Sequence, residues 1–247
     1  MAERLESKIA LVTGGSSGLG RASSLAFARE GAKVIVSDVN VTGGEETVAL
    51  IKKNGGKAVF VKTDVTNETE VIAMVEETVK IYGRLDIAFN NAGVGGDDFD
   101  RIMNTNLNGV WLCMKHEIPQ MLRQGGGAIV NTSSIVGLVS PISGSKYGKY
   151  AYCASKHGVI GLTRVAALEH AKNNVRVNAV CPGFLRTPFV SRLLADKKEL
   201  DKIVAATPMG RVGEPEEVAE AVVWLCSDAA SYVTGIAMPV DGGYTAW

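Results

Sequence analysis

A tyrosine and a lysine four residues apart offer the clearest chemistry in this chain. Of the six tyrosines, only Tyr152 is followed at the fourth position by a lysine, Lys156, and residues four apart share one face of a helix. A free phenol titrates near pH ~10, and lowering that pKa by about three units needs roughly 4 kcal/mol. An ammonium about 4 Å away supplies about that much at an effective dielectric near ~20. The pair could therefore make Tyr152 a proton donor and acceptor, although this spacing also occurs in ordinary surface contacts.

Size, charge and cysteine use limit the class of protein. The chain has 247 residues, enough for one large α/β domain, and its 26 basic and 26 acidic residues balance, which argues against nucleic acid or an anionic membrane as the partner. No apolar run reaches the ~20 residues that span a bilayer, and we expect no secretion signal. The four cysteines have no CxxC spacing and the three histidines no metal-ligand pattern. We therefore expect a cytoplasmic protein with free thiols and without a metal.

Strand-like apolar runs alternate with helix-like segments along the chain. The predicted strands cover residues 9–13, 33–38, 58–62, 85–90, 128–132 and 175–180, and the predicted helices cover 18–30, 43–54, 68–82, 99–123, 150–173 and 189–206. Pro119 is expected to kink or end the fourth helix. Apolar strands that are each followed by a helix indicate a parallel sheet covered on both faces. We predict a doubly wound α/β fold of the Rossmann type, in a single domain over residues 1–247.

A glycine-rich turn follows the first predicted strand and opens the first predicted helix. Residues 13–20 read Thr-Gly-Gly-Ser-Ser-Gly-Leu-Gly, and glycines permit a tight turn and close approach of the backbone to a phosphate. The N–H groups at a helix start, together with the helix dipole, suit a pyrophosphate. We therefore predict a dinucleotide site, while a turn that merely joins strand to helix is the alternative. The residues predicted to contact the dinucleotide here are Gly14, Ser16, Ser17, Gly18 and Leu19.

An aspartate at the end of the second predicted strand bears on the choice of dinucleotide. A carboxylate at Asp38 can accept hydrogen bonds from ribose hydroxyls and would repel a 2′-phosphate. The positions that could attract that phosphate are not basic: they are Ser16, Ser17 and Val39. The sequence therefore favours NAD over NADP, with a strand-end aspartate that caps a turn as the alternative. Asp64 and Val65, which close the third predicted strand, are further candidates for contact with adenine.

Further motifs follow in order along nearly the whole chain, and together they resemble the short-chain dehydrogenase/reductase family in its single-domain branch. Besides the glycine-rich turn and the Tyr152/Lys156 pair, the matching positions are Asn90-Asn91-Ala92-Gly93 after the fourth strand, Asn106 within 104–109, Ser134 after the fifth strand, Pro182-Gly183 with Thr187, and the ending 233–243. Each motif alone is weak, and their common order carries the resemblance.

The resemblance implies a catalytic set. Tyr152 would exchange a proton with the substrate's oxygen while hydride passes to or from the nicotinamide, and Lys156 would lower the pKa of Tyr152 and hold the nicotinamide ribose. Ser134 would hydrogen-bond the same oxygen. Asn106 would position a water that links Lys156 to solvent. As cofactor contacts the resemblance adds Asn91, Ala92, Gly93, Tyr152, Lys156, Pro182, Gly183 and Thr187. Simpler roles stay open for three of these residues: a helix cap for Asn106, a strand-end hydroxyl for Ser134 and a helix start for Thr187.

Two segments depart from the family's usual spacing. The chain between the fourth-strand motif and Asn106 is shorter than in most relatives, so we expect a pocket that is more open on that side. The interval from Ser134 to Tyr152 is longer, and its glycine-rich part, residues 143–149, could refill the opening. The longer interval also leaves Ser133 as a second candidate for the catalytic serine, although Ser134 is preferred.

These observations predict an NAD-dependent oxidoreductase that acts on a small secondary alcohol, diol or ketone. A 3-oxoacyl-[acyl-carrier-protein] reductase is the alternative enzyme, but it would normally use NADPH and need a basic patch for its acidic carrier. A dinucleotide-binding regulator without turnover is an alternative from another class, and such proteins usually lose the tyrosine or the lysine. The family commonly forms tetramers, and we expect a homotetramer here from the bulky residues Val110, Trp111 and Met114 and the terminal Trp247.

Overall fold

The computed structural model describes residues 4–140 and 150–246, in which strands and helices alternate. The strands are β1 (Ile9–Thr13), β2 (Lys33–Asp38), β3 (Lys57–Lys62), β4 (Ile87–Asn90), β5 (Gly127–Thr132), β6 (Val175–Pro182) and β7 (Ala237–Val240). The helices are α1 (Gly18–Arg29), α2 (Val41–Lys53), α3 (Glu68–Tyr82), α4 (Phe99–Met103), α5 (Gly109–Arg123), α6 (Tyr150–His170), α7 (Ser191–Leu194), α8 (Lys197–Ala206) and α9 (Pro215–Cys226).

The strands form one parallel sheet in the order β3-β2-β1-β4-β5-β6-β7. This order confirms the predicted doubly wound α/β fold. The direction of strand addition reverses between β1 and β4, and in such sheets a crevice forms at that point outside the carboxyl ends of the strands. The segments that follow β1, β4, β5 and β6 therefore all emerge at the same edge.

Both faces of the sheet are buried, which explains why its central strands are apolar at nearly every position. Val12 and Val36 belong to a core on one face that includes Phe27 of α1 and the inner side of α9. Leu11 and Ile35 belong to a second core on the other face, formed with α3, α5 and α6. Because side chains alternate between the faces of a strand, two helical layers require apolar residues at both odd and even positions.

The predicted helix over residues 99–123 contains an irregular turn at an unexpected place. It is present as α4 and α5, joined by one π-helical turn, Asn104–Asn108. Pro119 lies inside α5 and does not end it, since the helix continues to Arg123. The widened turn instead holds Asn106, and such turns occur frequently at functional sites.

The C-terminal third differs most from the sequence prediction. The predicted helix over residues 189–206 is divided into α7 and α8, because the side chain of Asp196 accepts a hydrogen bond from the backbone N–H of Lys198 at 2.9 Å and so caps the start of α8. Helix α9 and strand β7 were not predicted as elements.

The three bulky residues on which the tetramer expectation depended do not share one face. Val110 and Met114 are buried in the chain's own core, and only Trp111 is exposed, at 44%. The terminal Trp247 and the 143–149 segment lie outside the described residues. Among the helices that the structure describes, none is both long and apolar enough to cross a bilayer.

Candidate active site

A cleft of about 1310 Å³ runs along the carboxyl edge of the sheet. Its walls come from the turn after β1, the end of β2, the loop after β4, the end of β5, α6 and the segment after β6. The predicted site residues that line it are Gly14, Ser16, Ser17, Gly18, Leu19, Asp38, Asn91, Gly93, Ser134, Tyr152, Lys156, Pro182, Gly183 and Thr187. The fold thus brings residues from distant parts of the chain to one cavity.

The glycine-rich turn is packed tightly against the loop after β4. Gly14 has φ +67°, and a Cβ there would lie 2.9 Å from the Cα of Ala92. A Cβ at Gly20 would collide with the carbonyl oxygen of Gly14. The hydroxyl of Thr13 accepts hydrogen bonds from the backbone N–H groups of Asn91 at 3.0 Å and Ala92 at 3.1 Å. Side chains are therefore excluded at Gly14 and Gly20, and the backbone of Gly14 remains at the cleft.

The start of α1 carries the features that favour a phosphate. Gly18 begins the helix with φ +50°, and a Cβ there would lie 3.3 Å from the Cβ of Thr187. The side chain of Ser17, the N-cap residue, makes no capping hydrogen bond, and the first turn has no acidic residue. The N–H groups at this end are thus not satisfied by a side-chain cap, and the helix dipole there favours an anion. These features fit a dinucleotide pyrophosphate.

Asp38 lies beside this turn and also closes a turn of its own. Its Oδ2 accepts a hydrogen bond from the N–H of Ser16 at 3.0 Å, and its Oδ1 accepts one from the N–H of Asn40 at 2.9 Å. An ionised carboxylate has about four acceptor positions. Asp38 therefore caps a turn, which was the alternative role predicted from the sequence, and still has acceptor positions for ribose hydroxyls.

Arg21 is a basic residue near this end of the cleft, at a position that no sequence motif indicated. Its guanidinium donates to the carbonyl oxygen of Ser16 at 2.6 Å and to the hydroxyl of Thr47 at 2.9 Å, and it pairs with Glu46 at 3.0 Å. Arg21 does not line the cleft. Its charge is thus already engaged by groups of α2 and the turn.

Asp64 and Val65, the residues predicted to contact adenine, make contacts of their own at the end of β3. Oδ1 of Asp64 accepts hydrogen bonds from the N–H of Thr66 at 2.9 Å and its hydroxyl at 2.7 Å. Val65 is buried, and a Cβ at Gly109 would lie 2.8 Å from its Cγ2. Neither residue is among those that line the cleft, and their contact with adenine stays a prediction.

The two candidate serines have different surroundings. Ser134 and Tyr152 both line the cleft, and the hydroxyl of Ser134 is near enough to Tyr152 to lower the pKa of its phenol. The hydroxyl of Ser133 is 1% exposed and donates to the carbonyl oxygen of Lys156 at 2.8 Å. Ser134 is therefore placed to share a substrate oxygen with Tyr152, whereas Ser133 holds the helix that carries Lys156.

The ammonium of Lys156 is almost entirely buried, with 3% of the residue exposed. It donates to the carbonyl oxygen of Thr132 at 2.8 Å and lies 5.6 Å from the centroid of the Tyr152 ring. Burial lowers the pKa of Lys156 to about 8. Thr132, which ends β5 and was not predicted as a site residue, fixes the position of this charge.

Asn106 lies next to Lys156 but behind the wall of the cleft. Its side chain pairs with the backbone of Val94, accepting from the N–H at 2.8 Å and donating to the carbonyl oxygen at 2.9 Å. A Cβ at Gly93 would lie 3.3 Å from Oδ1 of Asn106 and 3.7 Å from Nζ of Lys156. Asn106 and Ala92 are not among the lining residues, and the geometry shows Asn106 supporting the loop after β4.

The pKa of Tyr152 is shifted in the direction opposite to the one expected. Burial raises it to about 12, and the nearby hydroxyl of Ser134 offsets only part of that effect. The ammonium of Lys156, which donates to Thr132 and lies 5.6 Å from the centroid of the Tyr152 ring, does not reverse this rise. At neutral pH Tyr152 is therefore a protonated hydroxyl, the form that donates a proton to a carbonyl oxygen.

The half of the cleft beyond Tyr152 is largely apolar. Its lining includes Ile135, Val136, Phe184, Leu185, Phe189, Val190, Leu193, Ile203 and Tyr244. Within residues 4–140 and 150–246, no group of three or more His, Cys, Asp or Glu side chains could hold a metal ion.

Comparisons with known proteins agree with this geometry. The profile of the family described as Enoyl-(Acyl carrier protein) reductase matches residues 14–245. Cyclohexanol dehydrogenase of Acinetobacter sp. (strain SE19) is 42% identical, over 99% of this chain and 98% of that one. The 3-oxoacyl-[acyl-carrier-protein] reductase of Thermotoga maritima is 41% identical, over 97% of this chain and 98% of that one. A Beutenbergia cavernae protein, whose crystal structure holds NADP at low occupancy, has a TM-score of 0.92 and 34% identity, covering 100% of both chains.

Proposed function

Because this chain belongs to the short-chain dehydrogenase/reductase family, we propose that it transfers hydride between a nicotinamide cofactor and a secondary alcohol, diol or ketone. The observation that carries the proposal is the convergence of Ser134, Tyr152 and Lys156 at one cleft whose other end has the bare glycine turn and Asp38. The cleft thus combines a place for a dinucleotide with a proton donor for an oxygen.

The residues of the site would have separate roles in the reaction. The nicotinamide would supply or accept the hydride. Tyr152 holds the proton that a carbonyl oxygen takes up during reduction, and the hydroxyl of Ser134 binds the same oxygen and stabilises the charge that develops there. Lys156, whose ammonium lies 5.6 Å from the centroid of the Tyr152 ring, would hold the nicotinamide ribose. The glycine turn, the start of α1 and Thr187 would hold the cofactor.

NAD is the proposed cofactor for this chain. Asp38 offers acceptors for ribose hydroxyls and a negative charge that disfavours a 2′-phosphate, and the nearby Arg21 is engaged with Glu46. A structural relative holds NADP, so the family accommodates both cofactors. The preference in this chain would come from Asp38.

The carrier-protein reductase is the second candidate, because a relative with that name is 41% identical. Such an enzyme would need a basic surface for its acidic carrier. Among the described residues that line the cleft, the basic ones are Lys156, which is buried, and Lys202, which pairs with Glu199 at 2.8 Å. The described lining of the cleft therefore favours a small uncharged substrate over a carrier-bound one.

We also propose that the protein acts as a cytoplasmic homotetramer. Its four cysteines are free thiols, as is usual in a reducing compartment. Trp111 of α5 and Val165 and Leu168 of α6 are 44%, 55% and 83% exposed, and large exposed apolar side chains favour burial between subunits. Sedimentation velocity should show a tetramer, and a purely monomeric profile would contradict the proposal.

Replacing Tyr152 with phenylalanine tests the proposed chemistry. The Tyr152→Phe variant keeps the ring and loses the hydroxyl, so we expect kcat to fall by about 10²- to 10⁴-fold while the affinity for NADH changes little. Turnover would be followed by NADH absorbance with a panel of secondary alcohols, ketones, cyclic diols, sugars and 3-oxoacyl thioesters, in parallel with NADP(H). Tyr150→Phe is the matched control, because Tyr150 lies on the same helix and is 92% exposed.

The possible results separate the candidate functions. Loss of turnover in Tyr152→Phe alone, with cofactor binding retained, supports the dehydrogenase. Equal activity in both variants would refute the role of Tyr152. Cofactor binding without turnover on any substrate in the panel would favour a regulator, and activity confined to 3-oxoacyl thioesters with NADPH would favour the carrier-protein reductase.

A further inference from the structure

The short loop after β4 leaves space beside the reacting groups. Gly95 and Gly96 both line the cleft. Gly96 has φ +128°, but Gly95 has no such left-handed conformation, so its backbone would accept a side chain. A Cβ at Gly95 would lie 3.1 Å from Cζ of Phe189. The absence of a side chain at Gly95 is therefore what makes room for Phe189.

Phe189 fills the side of the cleft that the short loop leaves open. It lies on a single turn, Pro188–Val190, in the segment after β6. Its ring centroid is 6.0 Å from that of Tyr152, with an angle of 35° between the ring planes. The residue is 56% exposed and lines the cleft. A phenyl ring with this much exposure, next to the proton donor, offers apolar area that a bound molecule can cover.

The turn that carries Phe189 is anchored by an apolar cluster. Leu193, Ile203 and Val212 are buried together, and the neighbouring Val190 packs against them. On the same side, the charges of Glu199 and Lys202 compensate each other at 2.8 Å. The wall therefore presents a ring on an anchored turn and no unpaired charge from these two residues, which suits an uncharged apolar substrate.

We propose that Phe189 is a specificity-determining residue that packs against the ring of an alicyclic alcohol or ketone, and that Gly95 sets its position. The inference rests on the proposed function, since it concerns the substrate half of the same cleft. A cyclic substrate whose oxygen reaches Tyr152 and Ser134 would extend its apolar ring over Phe189. A short acyclic alcohol would place its oxygen identically but would not reach this wall.

Cyclohexanol and 2-propanol are the probes that separate these cases, because both present a secondary alcohol and only one carries a ring. In Phe189→Ala we expect kcat/KM for cyclohexanol to fall by roughly tenfold, mainly through KM, with a change below about twofold for 2-propanol. Phe99→Ala is the matched control: Phe99 is 55% exposed and does not line the cleft. Its kcat/KM for both alcohols should stay unchanged.

The role of Gly95 is tested by a double-mutant cycle. Gly95→Ala should displace the Phe189 ring and lower kcat/KM for cyclohexanol by about threefold. In a Phe189→Leu background the atoms nearest to the new methyl are gone, so the same Gly95→Ala change should have almost no effect. An equal loss in both backgrounds would show that Gly95 acts through the loop and would overturn the proposed coupling.

Two further results would contradict the proposed role of Phe189. An equal loss for cyclohexanol and 2-propanol in Phe189→Ala would show that Phe189 only supports the fold of the site, and the inference would fail while the proposed function stands. No turnover of either alcohol, or of any other secondary alcohol or ketone, by the unsubstituted protein would refute the proposed function and the inference with it.

Discussion

Glu117 of α5 is a buried carboxyl group whose ionisation should weaken the fold. It is fully buried, and its Oε2 accepts a hydrogen bond from Nδ2 of Asn90 at 3.0 Å. Its Oε1 and the Oδ1 of Asn90 have no hydrogen-bond partner within the described residues. Burial raises the pKa of Glu117 from its ordinary 4.5 to about 7. The thiol of the nearby Cys113 stays neutral, because burial and Glu117 raise its pKa well above 9.0.

The direction of the pH effect follows from proton binding. Below pH 4.5 the carboxyl is protonated in both the folded and the unfolded chain. Between that value and about pH 7 the unfolded chain loses the proton and the folded chain keeps it, so the free energy of unfolding falls as the pH rises. Above about pH 7 the full loss is present, and at about 1.4 kcal/mol per unit the shift amounts to roughly 3 kcal/mol.

Glu117→Gln is the substitution that removes this effect. Glutamine has the shape of the protonated carboxyl and its Oε1 can still accept from Asn90, so near pH ~5 the two proteins should differ by less than about 1 kcal/mol. Near pH ~8 the variant should gain roughly 2–3 kcal/mol relative to the unsubstituted protein. Urea unfolding at both pH values, followed by circular dichroism at one protein concentration, measures the difference.

Glu76→Gln is the control for Glu117→Gln, because it makes the same change at an exposed glutamate of α3. We expect its unfolding free energy to follow that of the unsubstituted protein at both pH values. A difference between Glu117→Gln and the unsubstituted protein that is the same near pH ~5 and pH ~8 would refute the reasoning, since it would mean that the carboxyl does not change its ionisation in the folded state.

Two further predictions concern the site. Ser134→Ala should lower kcat by about 10²-fold, because it removes a hydrogen-bond donor to the substrate oxygen. Steady-state assays should show a smaller loss of kcat for Ser133→Ala, since the hydroxyl of Ser133 donates to the backbone of Lys156. A larger loss for Ser133→Ala would disprove Ser134 as the catalytic serine. Asp38→Asn should shift the kcat/KM ratio of NAD to NADP about tenfold towards NADP by removing a like charge, and an unchanged ratio would exclude Asp38 as the selector.

Much of the fold and of the site could be predicted from sequence because the signals are local. Alternation of apolar strands with helices depends on neighbouring residues, and so does the glycine turn, where Gly14 and Gly18 adopt positive φ. The spacing of Tyr152 and Lys156 places both on one face of α6 without reference to the rest of the chain. The break between α7 and α8 was missed, because a local cap at Asp196 competes with an otherwise helical pattern.

Only the tertiary structure decided the properties that depend on burial and on distant partners. Spacing alone predicted that Lys156 would lower the pKa of Tyr152, but desolvation raises that pKa instead, and the ammonium of Lys156 donates to Thr132 of β5. Likewise, no local pattern places the ring of Phe189 beside Gly95. The sequence by itself determined which groups can react. Folding determined their ionisation and what surrounds them, because desolvation and contact depend on residues that are far apart in the chain.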